Sequence, residues 1–205
     1  AYDIPLRLVG SEMCIRDRCY MMNVKGRTIF LADATVNVYP DSRTLAEIAV
    51  QTAKVARRFG VAPRVAMLSF SNFGSSRAQR SERIEDAIEF ARELDPSLVI
   101  DGPMQADTAL NGDVQTEYPF MDFKGPANVL VLPNLAAANI AYKLLEELGD
   151  AEMTGPILEG MDKPVQLVAR QDGVRHIVNM AAICAADAIR QDSYWETLVT
   201  PNVDG

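Results

Sequence analysis

The chain is short of the residues on which several common chemistries depend. It has one histidine, one tryptophan and three cysteines in 205 residues. Cys14, Cys19 and Cys184 are odd in number and scattered, so neither a disulfide framework nor a zinc site is suggested. Nothing in the chain fits G-x-G-x-x-G, the Walker A loop, H-E-x-x-H, a paired C-x-x-C or the G-x-S-x-G elbow. No apolar run approaches the roughly 20 residues that span a bilayer, and the start lacks the apolar stretch of a secretory signal. A reducing cytoplasm is the expected setting. Positive charge is in deficit too. The formal net charge of −8 argues against a general nucleic-acid binder, though it leaves room for an anionic ligand in a local basic pocket.

What is there describes a globular protein. Hydrophobic residues make up 48% and charged residues 23%, enough for one large domain or two small ones. Residues 1–18 are unlike the rest. Leu8-Val9-Gly10-Ser11-Glu12-Met13-Cys14-Ile15-Arg16-Asp17-Arg18 resembles a translated sequencing-adapter read-through. These residues are therefore expected to be a non-native leader, and the natural protein to extend further in the N-terminal direction.

From Tyr20 the pattern becomes regular. Strands are expected at 28–33, 64–69, 98–101, 129–132 and 164–169. Helices are expected after a cap at Ser42 or Asp41, across 84–94, from Asn134 to about Leu148, and from Val174 onward with a frayed tail from Ser193. Their inner faces are read as Leu45, Ile48, Ala49, Thr52, Val55, Ala56 and Phe59; as Ile84, Ala87, Ile88, Ala91 and Leu94; and as Ile177, Val178, Ala181, Ala185, Ala188 and Ile189. The 155–161 segment reads as a Gly-flanked connector, and 155–164 as the candidate domain boundary. Strands alternating with long helices imply an α/β fold, a mostly parallel sheet with helices on both faces.

The stretch around which this pattern turns is 124–143. Val129-Leu130-Val131-Leu132 is a continuous apolar run, as in a strand covered on both faces. Pro133 closes it, and Asn134 is a good N-cap for the next helix. Ala136, Ala137 and Ala138 leave room beside that helix start, where free amides favour an anion such as a phosphate group. The same pattern also describes an ordinary βα unit that binds nothing. Other polar loops would join it at the carboxyl ends of the strands, where open α/β sheets bind ligands. They are 33–37, 69–76, 101–107 and 169–171, and each could equally be a plain turn or cap. His176 opens the last helix and has no sequence feature that marks it as catalytic.

Several of these segments, in order and spacing, resemble phosphate acetyl/butyryltransferases. They are Ala66-Met67-Leu68-Ser69-Phe70-Ser71, Asp101-Gly102-Pro103-Met104-Gln105, Ala127-Asn128-Val129-Leu130-Val131, Asn139-Ile140-Ala141-Tyr142-Lys143, and Gly155-Pro156-Ile157-Leu158 with Lys163-Pro164-Val165. The resemblance covers about residues 20–190 and is similar still to the phosphotransacetylase-like C-terminal domain of bacterial NADP-dependent malic enzymes. Phe30-Leu31-Ala32-Asp33-Ala34-Thr35-Val36-Asn37, Ser71-Asn72-Phe73-Gly74-Ser75 and Ile177-Val178-Asn179-Met180-Ala181-Ala182 suggest that branch. It implies a layered fold like that of isocitrate dehydrogenase, incomplete at the N-terminus. One subdomain would span 19–157, and 158–205 would be the C-terminal part of the other.

The resemblance also implies a ligand and a set of contacts. Acetyl-CoA would bind in a cleft touched by Ser69, Ser71, Gly74, Asn134, Asn139, Lys143 and Arg170, with no metal in this domain. NADP and a divalent metal would belong to the missing malic-enzyme portion, and the protein would be a homo-oligomer. Active members carry a Ser-Arg pair after the Lys-Pro-Val strand and an acidic residue a few positions later. Here Ala169 stands in the serine position, Arg170 is kept and His176 replaces the acid. Acyl transfer needs an acid/base near the thiol and cationic stabilisation of phosphate charge. Alanine can do neither. The resemblance thus implies an acetyl-CoA-sensing and assembly module, with Arg170 and His176 as the catalytic pair if the domain is an active transferase. A purely structural assembly domain is the remaining alternative.

Overall fold

In the computed structural model the described residues are 18–32, 37–75, 80–158, 163–170 and 172–199. Residues 1–17 of the expected leader and the 33–36 part of the first loop lie outside them, as do Ser76 and Gln171. The chain enters through a hairpin, β1 (Arg18–Val24) and β2 (Arg27–Ala32). Lys25 and Gly26 at its tip have φ of 51° and 74°, the two-residue turn whose twist suits paired strands. The remaining elements are α1 (Ser42–Arg58), β3 (Val65–Leu68), α2 (Arg80–Leu94), β4 (Ile100–Met104), α3 (Ala106–Leu110), α4 (Gly112–Gln115), β5 (Val129–Val131), α5 (Leu135–Leu148), β6 (Glu152–Leu158) and α6 (Val174–Val199).

Six strands form one sheet in the order β4-β3-β5-β2-β1-β6. β4, β3, β5 and β2 pair in parallel, and β1 is antiparallel to both of its neighbours. Strand alternation divides the core between two faces. Phe30, Val65, Met67, Val129 and Val131 lie with the inner face of α1 and α2 and with Met180 and Ile183 of α6. Ile29, Leu31, Ala66, Leu68, Leu130 and Leu132 lie with Ala138 of α5 and with Ala109, Met121 and Phe123 of the 105–127 excursion. Each large side chain so buried contributes roughly 1.5–3 kcal/mol. The mostly parallel sheet with helices on both faces is thus present.

Local differences from the expected pattern have identifiable causes. β1 was not expected, because within Arg18–Val24 only Tyr20 and Val24 are strong strand formers. The described part of the expected connector, 155–158, is instead strand, the end of β6. Gly155 permits this, since a Cβ there would lie 2.9 Å from Tyr20 Cδ1 and 3.0 Å from Cys19 O, at φ +140°. The register with β1 shifts between Cys19 and Met21 at the same place. The strand expected at 164–169 does not form: those residues pair with no strand of the sheet, although Leu158 N–H donates to Gln166 Oε1 at 3.2 Å. Leu94 is exposed at the end of α2. In α6 the buried face is Met180 and Ile183, while Ile177, Val178 and Ile189 are exposed. That helix is apolar on more than one side, so periodicity alone does not say which side packs. It also continues past Ser193 to Val199.

Candidate functional site

The connections after β3 and β5 leave the sheet on opposite faces. β3 leads to α2 on one face and β5 leads to α5 on the other, although the two strands are adjacent and parallel. A crevice at the carboxyl ends of such strands is where open α/β sheets take ligands. Gly102 allows β4 to approach from the side, since a Cβ there would meet Met67 O at 2.6 Å.

The loop after β3 is fixed by its backbone. Ser69 N–H donates to Met104 O at 2.8 Å and Phe73 N–H to Pro103 O at 2.7 Å. Asn72 ties this loop to the next, with its Oδ1 accepting from Gln105 N–H at 2.7 Å and its Nδ2 donating to Tyr118 OH at 3.1 Å. Phe73 and Gly74 both take left-handed φ, 45° and 72°, and a non-glycine residue there is uncommon enough to suggest a functional constraint. Ser71 is 6% exposed, and its buried Oγ has no hydrogen-bond partner. Such a hydroxyl costs free energy unless something satisfies it.

Across the crevice, Asn134 caps α5 as expected: its Oδ1 accepts from Ala137 N–H at 2.9 Å. Leu135 N–H donates to Val38 O at 3.4 Å, so these bonds leave unused the amide of exposed Ala136. Arg83 of α2 binds the two flanking loops together. It donates through one nitrogen to Pro40 O at 2.6 Å and through the other to Pro133 O at 2.8 Å. Its charge helps hold the Asp41 carboxyl below its ordinary range, after the larger effect of the Thr44 N–H bond to that carboxylate. Sequence reasoning missed Arg83. A lone arginine on an ordinary helix carries no local signal that it will reach two distant carbonyls.

The expected site residues divide into three groups. Ser69, Ser71 and Gly74 share the β3 loop, and Asn134 lies at the end of the neighbouring strand, so the structure brings these four to one crevice. Asn139 and Lys143 lie further along α5, about 7 and 13 Å from Asn134 by helical rise. Asn139 Nδ2 is 3.5 Å from Tyr142 OH, and Lys143 pairs with Glu146 at 2.9 Å, which raises its pKa. Arg170 and His176 form the third group. Arg175 pairs with Glu152, the first residue of β6, at 2.8 Å, so the start of α6 lies toward the amino end of that strand. The 169–171 loop was expected at the carboxyl edge with the others. No strand forms over 164–169 to carry them there.

At the start of α6, Asp172 accepts Ala169 N–H at 2.5 Å through Oδ2, and the same oxygen lies 3.5 Å from His176 Nε2. Ala169 and Arg170 are exposed. The region therefore holds a carboxylate–imidazole pair and a cation, and no hydroxyl at position 169.

The phosphate acetyl/butaryl transferase family matches residues 12–185. The chain belongs to that family. It is 43% identical to the phosphate acetyltransferase of Bacillus subtilis (strain 168) over 77% of this chain and 49% of that protein. It is 45% identical to the NADP-dependent malic enzyme of Escherichia coli (strain K12) over 79% of this chain and 22% of that one. A phosphotransacetylase structure from Streptococcus pyogenes matches with a TM-score of 0.79 and 38% identity, over 84% of this chain and 54% of that one. This transferase-family chain thus spans about half the length of the phosphate acetyltransferase and about a fifth of the malic enzyme. No helix among its described residues is long and apolar enough to cross a membrane.

Proposed function

We propose that this chain binds acyl-CoA at the β3–β5 crevice without turning it over, as the phosphotransacetylase-like part of an NADP-dependent malic enzyme. In that enzyme malate is oxidised and decarboxylated to pyruvate by a portion outside this chain, and acetyl-CoA bound here modulates the rate. The observation that carries the reading is Ala169. A methyl group replaces the hydroxyl of the family's Ser-Arg pair, while the crevice keeps its capped helix start, its buried Ser71 hydroxyl and the Arg83 clamp. Ligand recognition and proton transfer draw on different residues, so one can persist where the other is lost.

The pairing of His176 with Asp172 favours a second reading, an active acyltransferase. His176 would take the proton of the CoA thiol, the thiolate would attack the carbonyl carbon of acetyl phosphate, and phosphate would leave as the C–O bond breaks. Arg170 would stabilise the departing charge. One preparation of the protein in its natural length separates the two readings. Malate-dependent NADPH formation that changes on adding acetyl-CoA, with no acetyl phosphate formed from acetyl-CoA and phosphate, is the expected result. Formation of acetyl phosphate without malate activity would overturn it.

A further inference from the structure

We infer that Phe120 is a stacking surface for the adenine ring of the acyl-CoA, which makes the 70–73 and 118–120 loops the nucleobase end of the site. The inference rests on the acyl-CoA reading and adds a subsite to it. Phe120 is 64% exposed, yet two neighbouring rings hold it in place. Its ring meets Phe73 at 4.9 Å and 79° and Tyr118 at 6.1 Å and 88°, both edge-to-face, and Phe73 and Tyr118 are themselves 5.1 Å apart. Phe73 and Tyr118 pack in turn against the core of the α5 face.

The support continues through polar bonds. Tyr118 OH accepts from Asn72 Nδ2 at 3.1 Å, and Gln105 Nε2 donates to Phe70 O at 3.0 Å. Phe70, 57% exposed, is thereby fixed on the same loop. Asp122, the nearest carboxylate in sequence, is paired with Arg92, which moderates its repulsion of an anionic nucleotide.

An aromatic ring braced by two others and left open to solvent is pre-organised for a flat partner, since binding immobilises little that was mobile. Of the parts of acetyl-CoA, only the purine has a π-face of matching size. The pantetheine arm is flexible and amide-rich, and the acetyl group is too small to cover a ring. The platform is also continuous with the crevice, because Phe73 and Asn72 belong to the loop that carries Ser69 and Ser71.

The test measures dissociation constants of acetyl-CoA, ADP and S-acetylpantetheine by calorimetry for the full chain and for Phe120→Leu and Phe120→Trp. Circular dichroism and size-exclusion chromatography run alongside to compare fold and oligomeric state. Leucine keeps apolar bulk and removes the π-face. Phe120→Leu is expected to weaken acetyl-CoA and ADP about tenfold and to leave S-acetylpantetheine unchanged, while Phe120→Trp restores both nucleotide-bearing ligands. Equal acetyl-CoA affinity in Phe120→Leu overturns the inference and leaves the acyl-CoA reading standing. So does equal weakening of S-acetylpantetheine, which would make this the seat of the acyl arm, or a change confined to oligomeric mass. Ring-dependent binding of ADP without binding of acetyl-CoA keeps the inference and removes the acyl-CoA reading. Failure to bind any of the three overturns both.

Discussion

Replacing Arg83 by methionine should loosen both walls of the crevice at once. The arginine donates to Pro40 O at 2.6 Å and to Pro133 O at 2.8 Å, one carbonyl from the segment before α1 and one from the turn before α5. Hydrogen bonds from a charged donor contribute about 1.5–3 kcal/mol each. The side chain is half-buried, so the lower end applies, giving about 3 kcal/mol for the pair. Arg83 lies in the first turn of α2, where a cation opposes the helix dipole, and removing it returns about 0.5 kcal/mol. The net loss is then about 2–3 kcal/mol, or a fall in Tm of roughly 4–12 °C for a chain of this size. Methionine preserves most of the apolar stem, so lost packing adds little. Arg83→Lys offers a point charge in place of a fork and reaches one carbonyl at a time, so it should recover about half of the loss. The assay combines thermal unfolding with amide hydrogen exchange, and Leu135 N–H, which bonds to Val38 O, should exchange faster in Arg83→Met. A Tm within about 1 °C of the parent, with unchanged exchange at 135–138, would refute the clamp.

Three further outcomes follow from the same geometry. Asp41 Oδ1 caps α1 by accepting Thr44 N–H at 2.8 Å, so Asp41→Ala should cost about 1 kcal/mol at neutral pH. Because that bond lowers the folded-state pKa beneath the ordinary 3.8, the stabilisation is complete above that value and is lost as pH falls through the folded pKa; urea melts at pH 7 and pH 2.5 should show the gap between variant and parent closing in acid. Buried Asn128 accepts Arg64 N–H at 2.7 Å and donates to Ala62 O at 2.9 Å, so Asn128→Ala orphans both and should cost about 2–4 kcal/mol in chemical denaturation. Ala169→Ser, at an exposed position, should change stability by less than about 0.5 kcal/mol and should not by itself yield acetyl phosphate, because His176 still stands in place of the acidic residue; measurable turnover in that single variant would overturn the non-catalytic reading.

The parts of this fold that were legible in sequence are those whose cause is local. Asn134 caps α5 and Asp41 caps α1 because capping needs only a short polar side chain and the next few amides. The Val129-Leu130-Val131-Leu132 run reads as a covered strand because burial on both faces leaves no polar alternation. What escaped depends on partners distant in sequence. Gly155 and Pro156 argue against a strand on their own, and β6 forms because Tyr20 and Cys19 lie close enough to demand a glycine. In α6 the apolar residues would support packing on several sides, and the neighbours choose Met180 and Ile183. The same division holds at the site. Ser69, Ser71, Gly74 and Asn134 could be grouped from strand ends, whereas Arg83 acts from 43 and 50 positions away. Arg170 was grouped with them on the premise of a strand at 164–169, which does not form, and His176 entered only through the family resemblance.

On the acyl-CoA reading, the electrostatics of the crevice would let an acidic chain favour an anion. The net charge of −8 repels a CoA-type ligand at long range, but salt screens that term within about 8–10 Å at physiological ionic strength. Inside that distance the local groups decide. Arg83 directs its donors to two neutral carbonyls instead of a carboxylate, so those bonds hold the guanidinium in place without cancelling its charge. Asp41 offsets part of it, yet its carboxylate is itself engaged by Thr44 N–H. By contrast, Lys143, Arg175 and Arg92 are paired with Glu146, Glu152 and Asp122. A fixed cation bonded to neutral groups, set against the start of a 14-residue helix, provides a local positive field, whereas those three cations are each offset by a carboxylate. On that reading, recognition of an anion would depend on where a few donors are held, and the overall charge says little about it.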